Sequence, residues 1–358
     1  MNDARFVPVA VVVGLVVLLG VGAWLLARTP GSLVNEAPPR LGATASSSDG
    51  IVTITVEQGE SAREIGEKLE EAGVIESARL FRVLTDLMGL GDELEAGIYE
   101  FQSGETALIA VRRISGGITA SRGVTIREGL RLEEIAVVLE SQGIVSADAF
   151  LLALEDEYAA SFLEQLPPDV GLEGFLFPAT YRFSLTVSAR EVVQRLLGAF
   201  DQRYREEIEP RLRSDGLSLH EIVVLASIIE REAQVAEERP VIAGVFVNRL
   251  ARGIALQADP TVQYALGNDP ASVEQYGYWK RELSNADLES TSPYNTYAHS
   301  GLPPGPIANP GLDSILAALE PADTNYLYFF ARPGGCHSFA ETLEEHNRNV
   351  RETNPPEC

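Results

Sequence analysis

The longest apolar run of the chain lies close to its N-terminus. Residues 6–27 contain no charged side chain and are long enough to cross the ~30 Å hydrocarbon core of a bilayer. We predict an uncleaved transmembrane helix there, because the following LLARTPGS is a poor cleavage site for a signal peptide. Residues 1–5 then form a cytoplasmic tail, and the remaining mass lies outside the cell membrane. A buried core helix is the alternative, which so long an uncharged run disfavours.

Residues 28–50 are rich in Pro, Gly, Ser and Ala, which is typical of a flexible linker. Two stretches with one shared pattern follow, the first from Val52 and the second from Val124. Each predicts an alternating strand, a glycine turn, an amphipathic helix and a glycine stop, and a second helical stretch comes after it. Equivalent positions, such as Gly59 and Gly129, lie 70 residues apart. A fixed offset of this kind indicates a duplicated unit.

A further strand near Gly97–Phe101 and a helix up to Ile114 complete the first copy. The order strand, helix, helix, strand resembles a LysM-like module, a small fold often used on cell-wall glycan. The alternative is a βααβ scaffold that binds nothing. We therefore predict an α+β protein in which the transmembrane helix and linker are followed by a LysM-like module (51–120), a second LysM-like copy (121–170) and a mixed α/β domain (171–358).

The pattern of residues 219–232 predicts the helix that matters most for function. It begins with a capping-box spacing, and its apolar residues then recur at helical intervals. On this helix Glu230 lies at the flank of the apolar stripe, where solvent reaches it, whereas Glu232 lies closer to the centre of the stripe. Burial and the helix C-terminus both disfavour a charged carboxylate, so Glu232 is expected to hold a proton near neutral pH, as a general acid must. The alternative is an ordinary helix end, where the two glutamates pair with Arg231 or Arg239.

Charge and cysteine content narrow the function classes. The 358 residues include 52 acidic and 28 basic ones, and the net charge of -24 argues against a nucleic-acid partner, because phosphate binding needs a basic face. Cys336 and Cys358 could pair outside the membrane, but the sequence does not decide it. They are too few for a structural zinc site, and the four histidines show no zinc-ligand spacing, so we expect neither a metal nor another cofactor.

Beyond residue 171, the loops combine aromatic rings with amides and hydroxyl groups. Apolar sugar faces stack on such rings and sugar hydroxyls need directional hydrogen bonds, so this composition is typical of a sugar groove. An ordinary glycosidase needs a second carboxyl group, for which Asp259, Glu173 and Glu230 are candidates. A single carboxyl suffices for murein, where the acid protonates the glycosidic oxygen and then activates the muramyl C6 hydroxyl, which closes an anhydro ring. The residue pattern leaves both routes open.

Several motifs occur in the order found in one known family: EGFLFPATY, LASIIEREA, LQADPTVQYALG, SPYNTY, GLPPGPIANPG and HSFAETLEEHN. With them, nearly all of residues 171–347 resembles the MltG/YceG-like family of membrane-anchored endolytic murein transglycosylases. The resemblance implies that Glu232, the second glutamate of the IIExE motif, is catalytic. It also implies a cleft whose residues bind substrate: Glu173, Gln257, Asp259, Thr261, Tyr294, Asn295 and Thr296. Of these, Asp259 and Glu173 are expected to orient the sugar or tune the pKa of Glu232, and Asn295 to bind an N-acetyl group.

The activity implied by this resemblance is cleavage of the MurNAc–GlcNAc bond within nascent peptidoglycan glycan strands. It would leave 1,6-anhydroMurNAc ends and terminate glycan elongation. The implied partners are glycan strands and peptidoglycan synthases of the elongation or division machinery, and the implied location is the cell membrane, single-pass, with an extracytoplasmic catalytic domain. Two other functions stay open, a hydrolase that uses a second carboxyl group and a non-enzymatic glycan-binding scaffold for cell-wall synthesis proteins.

Overall fold

The computed structural model describes residues 50–168 and 170–352. The predicted cytoplasmic tail (1–5), the predicted transmembrane helix (6–27) and the linker up to residue 49 lie outside the described residues, as does Cys358. Within the two described ranges, no helix is both long enough and apolar enough to span a bilayer.

The first repeat copy folds as a strand, two helices and a strand, and a third helix follows: β1 (Ile51–Val56), α1 (Ala62–Glu71), α2 (Ala78–Met88), β2 (Gly97–Gln102) and α3 (Ala107–Ser115). β1 and β2 pair antiparallel, with Ile54 opposite Tyr99. Both of these side chains are buried, and Ile65 of α1, Phe81 of α2 and Ile114 of α3 pack into the same apolar cluster. Buried and exposed positions alternate along the strands, so one face of this small sheet is apolar, and the helices cover that face.

The second copy repeats this order in β3 (Ser121–Thr125), α4 (Leu132–Ser141), α5 (Ala147–Ala153) and β4 (Thr180–Ser184). β3 and β4 pair antiparallel, with Val124 opposite Tyr181. The duplication that the 70-residue offset predicts is therefore present in the fold. The boundary predicted after residue 170 falls between the two strands of one sheet, because the closing strand comes later in the chain. The LysM-like character of either copy stays a prediction.

The remaining chain is mostly helical, and its longer elements are α6 (Ala189–Arg203), α7 (Leu219–Glu232), α8 (Arg239–Ala251), α9 (Asp259–Leu266), α10 (Pro270–Tyr276), α11 (Asn285–Leu288), α12 (Leu312–Leu319), β5 (Tyr328–Ala331), β6 (His337–Ala340) and α13 (Leu343–Arg351). Short 3-10 or π turns occupy Gly91–Glu93, Ser161–Gln165, Tyr204–Ile208, Glu209–Arg211 and Ala236–Glu238. The sequence of residues 337–347 predicts a terminal helix, but this helix begins only at Leu343, because residues 337–340 pair antiparallel with β5.

α7 lies at the centre of the C-terminal core. All of residues 222–229 are buried, as expected of a helix that is apolar on most of its circumference. It packs against α12, α8 and α9, and Val124 and Ile135 of the second repeat copy belong to the same apolar cluster. This core fixes the position of the last turn of α7, where the predicted acid lies.

Candidate active site

Glu232 is the last residue of α7, and local sequence accounts for both ends of this helix. The capping box predicted at its start is present, since Glu221 N donates to Ser218 Oγ at 3.3 Å and Ser218 N donates to Glu221 Oε2 at 2.8 Å. At the other end Ala233 adopts an extended conformation, with ψ of 115°, while its N–H still donates to Ile229 O. The helix therefore stops where it leaves the core, and Glu232 lies at that exit.

A cavity of about 390 Å³ lies at this end of α7, which is within the size range of ligand pockets. Glu232 lines it, and so do Gln257 and Asp259, two of the seven predicted substrate-binding residues. The other polar and aromatic lining residues are Arg231, Gln234, Arg249, Gln263, Tyr297, Phe329, Phe330 and His337. The mixture of aromatic rings, amides and two acids is the composition expected of a sugar site.

The electrostatic setting of Glu232 favours its protonated form. The side chain is half-buried, and burial, reinforced by the charge of Asp259 and opposed by Arg231, raises the pKa of Glu232 to about 8. Asp259 is exposed and accepts a hydrogen bond of 2.6 Å from the Tyr297 hydroxyl. Glu232 therefore carries a transferable proton at neutral pH beside a carboxylate. Over the described residues, no three His, Cys, Asp or Glu side chains converge in a way that could hold a metal ion.

Arg249 holds the chain segment that forms one wall of the cavity. Its Nε donates to Leu327 O at 2.6 Å, and its Nη1 donates to Leu256 O at 2.9 Å and to Gln257 Oε1 at 3.3 Å. Gln257 is the only non-glycine residue among those described with a positive φ, of 50°, and its N–H donates to Thr296 O. A side chain in this left-handed region costs of order 1 kcal/mol or more and persists only where neighbours enforce it. The cavity wall is therefore rigidly placed.

Thr261 and Thr296 lie behind this wall instead of lining the cavity. Both are buried, their hydroxyl oxygens are 2.9 Å apart, and Thr296 Oγ1 accepts a hydrogen bond of 3.0 Å from Ala258 N. A direct part of these two residues in binding substrate stays a prediction. They support the wall from inside the core.

Asn295 has a similar supporting place. Its Nδ2 donates to Leu288 O at 2.9 Å and to Ser290 O at 2.7 Å, and its Oδ1 accepts a hydrogen bond from Tyr297 N. The side chain is fully buried, so both ends of its amide are used to hold the loop. The predicted contact with an N-acetyl group stays a prediction, and what the structure shows is that Asn295 places Tyr297, the tyrosine that contacts Asp259.

Glu173 and Tyr294 lie outside the lining of this cavity as well. The buried Glu173 carboxyl accepts hydrogen bonds from Asn309 Nδ2 at 2.8 Å and from Leu132 N at 3.4 Å. Burial, reinforced mainly by the charge of Glu133, raises the pKa of Glu173 to about 8. The Tyr294 ring packs against Tyr264 with 4.8 Å between centroids. Substrate binding by Glu173 and Tyr294 therefore stays a prediction.

The structure also corrects the exposed position expected for Glu230. Its side chain is only 8% exposed, and its Oε2 accepts hydrogen bonds from Gly311 N at 3.1 Å and from Ser314 Oγ at 2.7 Å, at the start of α12. The predicted pairing with Arg239 is confirmed, with 3.6 Å between Nη2 and Oε1. Glu230 stabilises a helix N-terminus and is not available as a second catalytic carboxyl.

Sequence reasoning did not assign a role to several cavity residues, of which His337 is the clearest. Its Nδ1 lies 2.6 Å from Glu238 Oε2, and its backbone N–H donates to the same carboxylate. The motif HSFAETLEEHN contains His337, and the motif GVFVNRL contains Arg249. Membership in these motifs is the sequence signal that points to His337 and Arg249 as site residues. Helical or strand periodicity does not show which polar residues meet across distant segments.

Comparisons with known proteins show the family of this chain. A model of the YceG-like family matches residues 54–352. The endolytic murein transglycosylase of Bacillus subtilis strain 168 is 34% identical over 310 residues, which cover 83% of this chain and 83% of that protein. The protein of the same name from Streptococcus pneumoniae D39 is 32% identical, over 84% of this chain but only 58% of its own length. The 2.6 Å crystal structure of a putative yceG-like protein from Listeria monocytogenes has a TM-score of 0.56 and 34% identity, and the match covers 84% of this chain and 99% of that one. The chain therefore belongs to the YceG-like family.

Proposed function

We propose that this protein is an endolytic murein transglycosylase, which cleaves the MurNAc–GlcNAc bond inside nascent glycan strands and leaves 1,6-anhydroMurNAc ends. The observation that carries the proposal is the Glu232 carboxyl group, protonated at neutral pH and lining a cavity of suitable size. The Bacillus subtilis relative, which bears the name of this activity, matches the chain along 83% of its length, so the resemblance is not confined to one motif.

In the first step Glu232 donates its proton to the glycosidic oxygen as the bond from that oxygen to the muramyl C1 breaks. The leaving sugar departs with a neutral hydroxyl, and positive charge develops at C1. The new Glu232 carboxylate and the Asp259 carboxylate stabilise that charge. The muramyl C6 hydroxyl then attacks C1, and Glu232 takes back the proton of this hydroxyl. No water is consumed, and Glu232 ends the cycle protonated, as it began.

Hydrolysis is the second candidate, because Asp259 supplies a second carboxyl group on the same cavity. In that route Asp259 would activate a water molecule while Glu232 protonates the leaving oxygen. Glu173 and Glu230 are excluded as the carboxyl group that activates water, since both side chains are buried and hydrogen-bonded elsewhere.

Mass spectrometry of products made in heavy-oxygen water distinguishes the two routes on uncrosslinked glycan strands. We expect products of mixed length whose new muramyl ends lack one water and contain no heavy oxygen. Reducing ends that each contain one heavy oxygen would establish hydrolysis instead. If the purified protein bound the strands without cutting them, both enzymatic proposals would fail and a glycan-binding scaffold would remain.

For location, we propose that residues 6–27 anchor the protein in the cell membrane as a single pass, with the catalytic domain outside and the βααβ units acting as LysM-like glycan-binding modules. The support is the uncharged apolar run and the repeated unit. There the enzyme would meet nascent strands beside the peptidoglycan synthases of the elongation or division machinery, and cutting would terminate elongation. Release of the protein from membranes by alkaline carbonate would contradict the anchor.

A further inference from the structure

Arg249 is a buried cation whose position is fixed by neutral groups. It is 8% exposed, and its Nε and Nη1 donate to the backbone oxygens of Leu327, Leu256 and Ala255, at 2.6, 2.9 and 3.1 Å. Its guanidinium carbon lies 5.2 Å from the centroid of the Tyr328 ring. None of the described residues hydrogen-bonds its Nη2, although Arg249 lines the cavity that contains Glu232. One donor-bearing edge of the guanidinium is therefore left for a ligand.

Arg131, the other arginine that is buried in the described part of the chain, has a carboxylate partner, and so does the partly buried Arg239, but Arg249 has none. Arg131 Nε lies 3.2 Å from Glu133 Oε2, and Arg239 Nη2 lies 3.6 Å from Glu230 Oε1. No Asp or Glu in the described ranges forms an ion pair with Arg249. A guanidinium stays protonated in proteins, and a buried charge without a counter-ion is costly. Such a site favours an anion that arrives with the substrate.

Gln257 adds donors to the same place. Arg249 can only donate, so the Gln257 atom that faces it at 3.3 Å has to be the amide oxygen. This orientation leaves the two N–H donors of the Gln257 amide on the exposed, cavity-lining end of the side chain. The left-handed backbone of Gln257, with φ of 50°, keeps the amide within reach of Arg249. Strain of this kind is found most often at ligand sites.

We propose that Arg249 and the Gln257 amide form a carboxylate-binding subsite, and that its ligand is a carboxylate on the lactyl arm of the muramyl residue, either in the attached peptide stem or at the bare lactyl group. This proposal rests on the proposed function. The sugar rings of murein are uncharged, so its carboxylates are the groups that a buried guanidinium selects. The free Nη2 of Arg249 and the Gln257 amide would each donate to the carboxylate, which would also fix the register of the strand relative to Glu232.

The test compares three uncrosslinked substrates of equal strand length: strands with free stem carboxylates, strands with these carboxylates converted to amides, and strands stripped of their stems so that the lactyl carboxylate is bare. We expect the wild type to have a KM about tenfold lower on a carboxylate-bearing substrate than on the amidated one, which is the effect of one charged hydrogen bond. Preference for intact stems or for stripped strands identifies which carboxylate is bound. In Arg249→Gln that preference should disappear, so that KM becomes equal on all three substrates, including where the lost wall contacts raise KM on each of them alike.

Arg252→Gln is the matched control, because it removes the same charge from an exposed residue three positions later. It should keep the wild-type preference. If Arg249→Gln does not fold, Arg249→Lys and the wild-type substrate comparison still decide the question, with Lys retaining the charge but losing the planar guanidinium whose wall contacts fix the Nη2 donors, and therefore most of the preference. Equal wild-type KM values on all three substrates would overturn the subsite while leaving the proposed activity intact. Absence of cleavage on every substrate would overturn the activity itself.

Discussion

Glu232 and Glu173 are two carboxyl groups of one domain, and burial raises the pKa of each to about 8. Glu173 is enclosed by donors, since Asn309 Nδ2 and Leu132 N both donate to it. Glu232 accepts no hydrogen bond from any residue in the described part of the chain, and it lines the cavity beside Asp259. Both hold a proton at neutral pH, but only Glu232 is placed where a substrate can take that proton.

The comparison shows that a raised pKa alone does not identify a catalytic acid. The Glu173 carboxyl joins distant parts of the chain, because Asn309 also accepts hydrogen bonds from Gly174 N at 3.0 Å and Leu176 N at 2.9 Å. The hydrogen bonds of this carboxyl group stabilise the fold. Access to the cavity and the lack of a hydrogen-bond donor are what distinguish Glu232, and this difference can be tested by substitution.

The largest contrast is expected in activity. Glu232→Gln keeps the shape of the side chain but cannot donate the proton, so we expect glycan cleavage to fall by about 10³-fold or more, with little change in melting temperature. Glu173→Gln should retain most of the wild-type rate, because that carboxyl does not line the cavity. Rates on uncrosslinked strands, with circular dichroism melts of the same samples, measure both effects.

Glu237→Gln is the control for the first substitution, since it makes the same change at an exposed position five residues later. Wild-type activity is expected there. If Glu232→Gln cut strands at the wild-type rate while Glu173→Gln did not, the roles assigned to the two residues would have to be exchanged.

The place of Glu232 was predictable from the sequence, and the place of Glu230 was not. Helical periodicity is a local property, so it correctly put Glu232 at the half-buried edge of α7. Glu230 is buried because Gly311 and Ser314, about eighty residues later, bring the start of α12 onto it. Local pattern contains no information about that contact. The same limit applies to Asn295. Its residue type suits sugar binding, but its amide forms hydrogen bonds within its own loop, which the local pattern does not show.

The fold shows the same division between local and long-range information. The 70-residue offset predicted the repeated strand, helix, helix, strand order, because each unit is built from short-range signals. It did not locate the closing strand of the second copy, Thr180–Ser184, which pairs with β3 across more than fifty residues. His337–Ala340 was likewise predicted as the start of a helix, and pairing with β5 makes it a strand.

A second, smaller contrast is expected in the pH dependence of stability. The pKa of Glu173 is about 8 in the folded protein against an ordinary value of 4.5, so between these pH values folding takes up a proton. The stabilisation is complete below pH 4.5 and is lost as pH rises through 8. The free energy of unfolding should therefore fall by up to roughly 1.4 kcal/mol per pH unit for this group. Glu173→Gln removes the part of the slope that Glu173 contributes, and Glu232, whose pKa is raised to the same value, contributes a similar part that this variant keeps.

Urea titrations at several pH values between 5 and 8 measure these slopes. Parallel curves for the wild type and Glu173→Gln would mean that Glu173 is ionised in the folded protein. The similarity between the two carboxyl groups would then be lost, and Glu232 would be the only protonated one.

The smallest effect is expected from Asp259, which is the second cause of the raised Glu232 pKa after burial. The general acid is active below its pKa, so the pH profile of kcat/KM should fall on the alkaline side with an apparent pKa near 8. Asp259→Asn removes the neighbouring negative charge, and this alkaline limb should move to lower pH by less than about one unit. The rate at low pH should fall as well, because the charge developing at C1 loses one stabilising partner.

Tyr297→Phe separates the charge of Asp259 from its orientation. This variant removes the 2.6 Å hydrogen bond to Asp259 but keeps the carboxylate, so the alkaline limb should stay in place. The alkaline limb of the pH profile could move as far in Tyr297→Phe as in Asp259→Asn. That result would show that the pKa of Glu232 depends on the position of Asp259 and not on its charge. If the alkaline limb did not move in Asp259→Asn, burial would be the sole cause of the raised pKa of Glu232. Glu232 would then differ from Glu173 only in its access to the cavity.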